Sequence, residues 1–119
     1  MFRYAVIGAG MQGTAAAYDL ARFGDAEEIQ IADRDPARAE EAAQRLNRML
    51  GRSLVRPIAL DVRDEKAVVE FLRPIDAAIS AVPYRFNPLV ARAAIEARTS
   101  LCDLGGHTPV SYTHLRAHE

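Results

Sequence analysis

The sequence is poor in the residues that build disulfide frameworks, cysteine metal clusters and strongly basic surfaces. It contains one cysteine, Cys102, which excludes an internal disulfide and any metal site made of several cysteines. Its 15 basic and 16 acidic residues nearly cancel, so no basic field exists to hold nucleic acid or an anionic membrane. No apolar run approaches the roughly 20 residues that a membrane-spanning helix needs. The sequence therefore argues against nucleic-acid-binding and membrane proteins.

The composition is that of a globular chain. Its 119 residues are 50% hydrophobic and 26% charged, which excludes intrinsic disorder as the main description. This length corresponds to one domain or part of one. The N-terminus has the pattern of a strand followed by a glycine loop, not that of a signal peptide, so we expect a cytoplasmic protein. No histidine and carboxylate pair has metal-ligand spacing, and we expect no metal.

Short apolar runs alternate with longer amphipathic segments along the chain. The apolar runs predict five strands, at residues 3–8, 28–33, 54–60, 75–81 and 99–104. Helical patterns lie between them, at 11–23, 36–50, from the cap Asp64 to Leu72, and from Asn87 to about Arg98. The alternation predicts an α/β fold with parallel strands, right-handed crossovers and helices on both faces of the sheet.

A glycine motif, GxGxxG, directly follows the first predicted strand and opens the first predicted helix. Gly8 permits a tight turn, Gly10 leaves room for a pyrophosphate against the backbone, and Gly13 lets the helix pack close to the strand. Met11 and Gln12 complete the motif at the helix start, where free N–H groups and the helix dipole attract phosphate. The alternative is that these glycines only make a tight strand-to-helix turn.

These features predict a Rossmann-type, doubly wound parallel sheet of about five strands in the order 3-2-1-4-5. A six-stranded version needs one more helix and strand, so we expect the sheet to be incomplete at its C-terminal edge.

An acidic residue, Asp33, ends the second predicted strand twenty positions after Gly13. A carboxylate there accepts hydrogen bonds from the adenosine ribose and repels a 2′-phosphate, which favours NAD over NADP. Arg34 follows directly and keeps NADP possible, because an arginine can pair with a 2′-phosphate or stack on adenine. The alternative for Asp33 is a plain turn or capping aspartate, although Asp35 before Pro36 suits the cap better.

Another acidic residue, Asp61, follows the third predicted strand and is followed by Val62. In the predicted fold these two residues lie near the adenine, where Val62 can pack on the ring and Asp61 can accept its amino proton. A turn aspartate is an equally good interpretation.

The fourth and fifth predicted strands end in two further candidate segments, because ligands bind outside the carboxyl ends of parallel strands. In the first segment, Ala81, Val82 and Pro83 suit a wall beside a nicotinamide ring. Tyr84 and Asn87 are candidate substrate contacts, although Asn87 before a proline is also a common turn element.

The second segment runs from Asp103 to His107. Gly105 lets the backbone approach a ligand, and Asp103 or His107 could handle a proton or hold an amino group. His107 is a lone histidine, which more often has no direct role. Cys102 lies inside the predicted strand and is expected to be a small buried hydrophobe.

Five segments together resemble the N-terminal NAD(P)-binding domain of the saccharopine dehydrogenase-like oxidoreductases. They are IGAGMQG (7–13), ADRDPARA (32–39), LDVRD (60–64), SAVPYRFNPLVARAAIEA (80–97) and CDLGG (102–106). The resemblance implies reversible hydride transfer at the C–N bond of an amino acid such as lysine or saccharopine. The Asp33-x-Asp35 pair looks more like the NAD-using lysine dehydrogenases than the NADP-using reductases.

Family members continue into a second, larger domain with most substrate contacts and usually the dimer interface. The resemblance therefore implies that this chain is a fragment, inactive alone, of a homodimeric amino acid dehydrogenase. The catalytic residues cannot be assigned from this sequence. The alternatives are a stand-alone nucleotide-binding or redox-sensing module, or the first domain of another dehydrogenase for sugars or imines.

The last ten residues, 110–119, read VSYTHLRAHE and resemble the translation of a sequencing-library transposon adapter. We therefore expect residues 1–109 to form a truncated NAD(P)-binding domain and 110–119 to be a non-native tail.

Overall fold

The computed structural model describes residues 1–104, and these form one parallel sheet with helices on both faces. The strands are β1 (Phe2–Ile7), β2 (Ala26–Asp33), β3 (Val55–Ala59), β4 (Ala77–Ser80) and β5 (Ser100–Asp103). The helices are α1 (Met11–Phe23), α2 (Pro36–Leu50), α3 (Glu65–Leu72) and α4 (Asn87–Ala97), with a 3-10 turn at Tyr84–Phe86 before α4. No helix among these residues is long and apolar enough to cross a membrane.

The strands lie in the order β3-β2-β1-β4-β5, and all neighbouring pairs are parallel. The predicted Rossmann-type α/β fold and strand order are thereby confirmed. The order places β1 between β2 and β4, so the chain winds outward from the centre of the sheet in both directions. A crevice for a ligand is expected at the carboxyl end of β1, where the direction changes.

Two apolar clusters form the core, one on each face of the sheet. Residues of α1 and α2 pack on one face around Val6, Ile29 and Ile31. Residues of α3 and α4 pack on the other face around Ile7 and Ala78. Because successive strand residues point to opposite faces, both faces of the central strands are apolar, as in sheets that helices cover on each side.

The helix ends follow from local chemistry. The side chain of Asp35 accepts a hydrogen bond from the Ala37 N–H and Pro36 opens α2, as expected for a helix start. Gly51 ends α2 with a φ of 71°, in the left-handed region that favours glycine. Asp64 caps α3 through the Ala67 N–H, as predicted.

Cys102 is exposed, and the expectation that it is buried was wrong. It lies on β5, at one end of the strand order of the described residues. Leu101 packs against the cluster beneath α3 and α4. Cys102 comes next along the strand and therefore points to the opposite face, where it is exposed.

Candidate functional site

A pocket of about 550 Å³ opens at the carboxyl ends of β1 to β4. Its walls come from the glycine motif, from the segments after β2 and β3, and from the loop after β4. The lining residues are Ile7, Gly8, Gly10, Ala32, Asp33, Arg34, Asp35, Arg38, Leu60, Asp61, Val62, Arg63, Ala81, Val82, Pro83, Arg85 and Phe86. This is the crevice in which open parallel sheets bind their ligands.

The three glycines of the motif differ in what surrounds them. Gly8 has a φ of 112°, and a Cβ atom there would lie 2.7 Å from the carbonyl oxygen of Ala81. A Cβ atom at Gly13 would overlap the carbonyl oxygen of Gly8. At Gly10, by contrast, a Cβ atom would meet nothing within 4 Å. Packing inside the protein therefore accounts for Gly8 and Gly13 but not for Gly10, which borders the pocket.

The start of α1 offers backbone donors beside this open glycine. Gly10 is the N-cap residue and has no capping side chain, and the Thr14 N–H makes the first intrahelical bond, to the Gly10 carbonyl. The N–H groups that precede Thr14 in the helix have no intrahelical acceptor. Together with the positive end of the helix dipole, they suit the phosphates of a dinucleotide. The residues present therefore fit a pyrophosphate group.

Asp33 connects the end of β2 to the glycine motif. Its Oδ2 atom accepts a hydrogen bond of 2.9 Å from the Ala9 N–H, and its Oδ1 atom accepts one of 2.9 Å from the Asp35 N–H. The side chain is fixed at the pocket wall as an acceptor. Because a carboxylate has about four lone-pair sites, acceptor capacity remains for the hydroxyl groups of a ribose.

Four arginines, Arg34, Arg38, Arg63 and Arg85, line the pocket. The guanidinium of Arg63 binds Asp61 through Nη2 at 2.7 Å and Nε at 3.0 Å. These side-chain hydrogen bonds, with a further one from the Arg63 N–H, hold the pKa of the Asp61 carboxyl well below its usual range. Among residues 1–104, no ion pair engages Arg34 or Arg38.

The loop after β4 forms the opposite wall of the pocket. The Ala81 N–H donates to the Ile7 carbonyl at 2.8 Å, which holds the loop against the end of β1. The guanidinium of Arg85 lies 4.8 Å from the centre of the Phe86 ring. Tyr84 is 42% exposed and Asn87 is buried, with its amide bonded to other side chains. Contact of these two residues with a substrate stays a prediction.

The structure brings most of the predicted cofactor residues around one pocket. Gly8, Gly10, Asp33, Arg34, Asp61, Val62, Ala81, Val82 and Pro83 line it. Met11 and Gln12 lie beside it at the exposed start of α1, and Gly13 is buried beneath Gly8. Gly105 and His107 lie outside the described residues. No group of three or more histidine, cysteine, aspartate or glutamate side chains within residues 1–104 could hold a metal ion.

Sequence reasoning missed eight residues of the pocket wall. They are Ile7, Ala32, Asp35, Arg38, Leu60, Arg63, Arg85 and Phe86. A usable signal existed for Arg38, because the first turn of the helix after β2 starts at the same edge of the sheet. Arg63 and Arg85 lie in segments that had already been singled out, each directly after a predicted contact, Val62 and Tyr84.

Comparison with known proteins identifies this architecture. The sequence model of the saccharopine dehydrogenase NADP-binding domain matches residues 4–118. A quinate/shikimate dehydrogenase (NAD(+)) of Corynebacterium efficiens is 39% identical over 77 residues, which are 65% of this chain and 25% of that protein.

Two solved structures extend the likeness. The apo saccharopine dehydrogenase (L-Glu forming) of Saccharomyces cerevisiae has a TM-score of 0.73 and 28% identity, over 92% of this chain and 23% of that one. The quinate dehydrogenase of Corynebacterium glutamicum, solved with NAD, has a TM-score of 0.59 and 30% identity, over 69% of this chain and 27% of that one. This chain therefore spans about a quarter of the length of these relatives.

Proposed function

The chain belongs to the family of saccharopine dehydrogenase NADP-binding domains, and from that premise we propose that it is the dinucleotide-binding domain of an NAD(P)-dependent oxidoreductase. The observation that carries this proposal is Gly10, whose open side borders the pocket although no packing contact requires a glycine there. A pyrophosphate bound against the backbone would explain the glycine at this position, because a side chain would occupy its space. When bound, the nicotinamide ring accepts or donates a hydride.

Each segment of the pocket has a role in this proposal. The pyrophosphate is bound by Gly8, by Gly10 and by the N–H groups of Met11, Gln12 and Gly13. Asp33 and Arg34 bind the adenosine ribose, and Asp61 and Val62 contact the adenine. Ala81, Val82 and Pro83 lie against the nicotinamide. Substrate contacts of Tyr84, Gly105 and His107 stay predictions from the sequence, whereas Asn87 lies behind this wall with its amide bonded to Ser80 and Asp103.

We propose NAD as the cofactor. The Asp33 carboxylate is fixed at the end of β2 by the Ala9 and Asp35 N–H groups, so it cannot turn away from a ribose bound there. A fixed negative charge at this place disfavours a 2′-phosphate. The complex of the related quinate dehydrogenase with NAD supports the same choice.

NADP is the second candidate, and a specific observation favours it. Arg34 and Arg38 both follow β2 and line the pocket, and no ion pair within residues 1–104 includes them. Two guanidinium groups suit a 2′-phosphate, which they can bind through paired hydrogen bonds. The family description also names NADP.

Calorimetric titration of the chain with NADH and with NADPH tests both points. We expect one dinucleotide per chain, with NADH bound more tightly. Tighter binding of NADPH would show that Arg34 and Arg38, not Asp33, determine which cofactor is preferred. Binding of neither dinucleotide by the folded chain would contradict the proposed function itself.

For the parent protein we propose a cytoplasmic, homodimeric oxidoreductase that acts on the C–N bond of an amino acid such as lysine or saccharopine. The family match and the saccharopine dehydrogenase structure support this substrate class. Oxidation of a C–OH group is the second candidate, because two related proteins are quinate dehydrogenases. We expect the isolated domain to bind the dinucleotide without turnover, because this chain spans only about a quarter of the length of its relatives.

The parent gene decides between these candidates and the stand-alone binding module. Long reads of the source DNA across codon 109 would show whether the frame continues into a second domain. Residues 110–119 lie outside the described residues, and the family match extends to residue 118, so their non-native origin stays a prediction. If the frame continues, the full protein with NAD⁺ should oxidise amino acids and leave quinate and shikimate unchanged. The reverse preference would contradict the C–N assignment.

A further inference from the structure

A chain of buried polar side chains lies behind the pocket, where β4, β5 and α4 meet. Ser80 and Asn87 are 1% and 6% exposed. The Ser80 hydroxyl donates to Oδ1 of Asn87 at 3.2 Å, and Nδ2 of Asn87 donates to Oδ2 of Asp103 at 2.7 Å. Buried amides and hydroxyls are stable only when they are hydrogen-bonded, and here both ends of the Asn87 amide are engaged.

Asn87 bridges two residues that the sheet already places side by side. Ser80 is the last residue of β4 and Asp103 the last of β5, and the two are partners in the parallel register. The Leu104 N–H donates to the Ser80 carbonyl at 3.0 Å and continues this pairing. Asn87 is the first residue of α4, so its amide attaches the start of that helix to the ends of both strands.

The same residue closes the pocket-lining loop. Residues 81–86 connect Ser80 to Asn87, so the bond between these two side chains joins the two ends of that loop. Most of the loop lines the pocket, namely Ala81, Val82, Pro83, Arg85 and Phe86. A loop held at both ends has fewer conformations to lose when a ligand binds against it, and this preorganisation increases affinity.

Residues 81–86 and the residues that follow β2 would contact different ends of a bound dinucleotide. Asp33 and Arg34 follow β2, on one side of β1, whereas residues 81–86 follow β4, on the other side. A dinucleotide with its pyrophosphate at the glycine motif therefore places one nucleoside on each side. Loss of the Asn87 bonds should disturb only the side that residues 81–86 form.

We propose that Asn87 is a positioning residue, which holds the 81–86 loop in the conformation that accepts the nicotinamide end of the cofactor. This inference rests on the proposed function and assigns to Asn87 a role in discriminating the whole dinucleotide from ADP-ribose. Asn87 acts through the loop and through Asp103, without contact with the reacting atoms.

An exchange of the two hydrogen-bonding partners tests the proposal. In Asn87→Asp the donor is lost and a second carboxylate faces Asp103, so the loop end is released. In the double variant Asn87→Asp with Asp103→Asn, the new amide donates back to the new carboxylate, and the bond is restored with its direction reversed. Ser80→Ala is a milder variant, because it removes only the bond between the ends of the loop.

The measurement is the dissociation constant of each variant for NAD⁺ and for ADP-ribose, which lacks the nicotinamide. We expect Asn87→Asp to weaken NAD⁺ binding about tenfold, with ADP-ribose changed less than about twofold. The double variant should return to within about threefold of the original NAD⁺ affinity. Ser80→Ala should change NAD⁺ binding in the same direction and by less.

Each outcome separates the inference from the proposed function. Equal losses for NAD⁺ and ADP-ribose in Asn87→Asp and Ser80→Ala, or no recovery in the double variant, overturn the positioning role. If Asn87→Asp does not fold, the NAD⁺ to ADP-ribose comparison in Ser80→Ala and the double variant decides it. Failure of the unsubstituted chain to bind either ligand overturns the proposed function instead.

Discussion

The Oδ2 atom of Asp33 accepts a hydrogen bond of 2.9 Å from the backbone N–H of Ala9. Ala9 lies between the first two glycines of the motif, so this bond ties the end of β2 to the glycine loop at the end of β1. The other carboxylate oxygen accepts from the Asp35 N–H, just before α2. One side chain therefore has two tasks in the proposed function, since it fixes the loop and would present negative charge to the ribose.

The two tasks of Asp33 can be separated by substitution. Both Asp33→Asn and Asp33→Ala remove the charge, so each should shift the ratio of NADPH to NADH dissociation constants towards NADPH by about tenfold. Only alanine removes every acceptor for the Ala9 and Asp35 N–H groups. It should therefore lower the free energy of unfolding by about 1–2 kcal/mol more than asparagine does.

Urea unfolding and dinucleotide titration of both variants make this measurement. Asp19→Asn is a matched control, because Asp19 is exposed on α1 and does not line the pocket. An unchanged NADPH to NADH ratio in both Asp33 variants would show that the carboxylate takes no part in cofactor selection.

Gly10→Val should weaken NADH binding by at least about tenfold, while the chain stays folded and loses at most about 1 kcal/mol because valine is a poorer N-cap than glycine. The new side chain meets no protein atom within 4 Å at its Cβ position, but it occupies the space proposed for the pyrophosphate. Fluorescence titration with NADH and the Tm of the free chain together test this expectation. Equal NADH affinity in the variant would show that the phosphates bind elsewhere.

Gly13→Val is the contrasting variant. Its Cβ atom would overlap the carbonyl oxygen of Gly8, so α1 could not keep its distance from the end of β1. We expect a loss of several kcal/mol of unfolding free energy, of the order found for severe overpacking, about 3 kcal/mol or more. A stable Gly13→Val variant would show that the close approach of α1 to the sheet is not required.

The fold could be predicted where local chemistry sets the boundaries. Both α1 and α2 were predicted with the observed limits, because the glycine motif, Gly24, Pro36 and Gly51 mark their ends. The ends of strands were less accurate, since pairing with neighbouring strands decides them. The predicted second strand begins at residue 28, whereas β2 begins at Ala26, opposite Phe2 of β1.

The candidate site was predictable only in its sequence-local parts. Gly10 lies in the glycine motif and Asp33 follows that motif at a characteristic distance along the chain. Their places at the pocket could therefore be predicted from sequence spacing alone. Arg38 and Arg85 reach the pocket from separate elements, so their proximity depends on the packing of α2 and of the loop after β4. Cys102 was placed wrongly because its burial depends on what covers the last strand, and a strand pattern does not contain that information.

Arg34 and Arg38 should determine the affinity for a 2′-phosphate. We expect Arg34→Gln combined with Arg38→Gln to weaken NADPH binding by about tenfold or more and NADH binding by much less. Titration with both dinucleotides checks this expectation. Arg45→Gln is the control, because Arg45 is exposed on α2, the helix that contains Arg38, and does not line the pocket. Parallel losses for NADH and NADPH would assign these arginines to the general attraction of anions.

The ion pair of Asp61 with Arg63 predicts a defined pH dependence. Hydrogen bonds from Arg63 lower the pKa of Asp61 in the folded chain, so the pair stabilises the fold above the usual carboxyl pKa of about 3.9. This contribution is lost as the pH falls below that value, towards the folded-state pKa. The difference in unfolding free energy between the chain and Asp61→Asn should therefore be constant from about pH 5 to 8. It should be smaller at about pH 3. A difference that changes between pH 6 and 8 would assign the effect to another group.

Asn47 joins α2 to β3 through its side-chain amide and should contribute strongly to stability. Its Oδ1 atom accepts from the N–H groups of Leu54 and Val55, and its Nδ2 donates to the Val55 carbonyl, all within 3.0 Å. Asn47→Ala leaves three half-buried backbone groups without these partners, so unfolding should become easier by about 2–4 kcal/mol. Gln44→Ala, an exposed change one turn earlier, should stay within about 0.5 kcal/mol. Chemical denaturation of both variants tests this expectation. If Asn47→Ala lowers the free energy of unfolding no more than Gln44→Ala does, water replaces the amide at no cost. Since Asn47 is remote from the pocket, NADH affinity should be the same in both variants once they are folded.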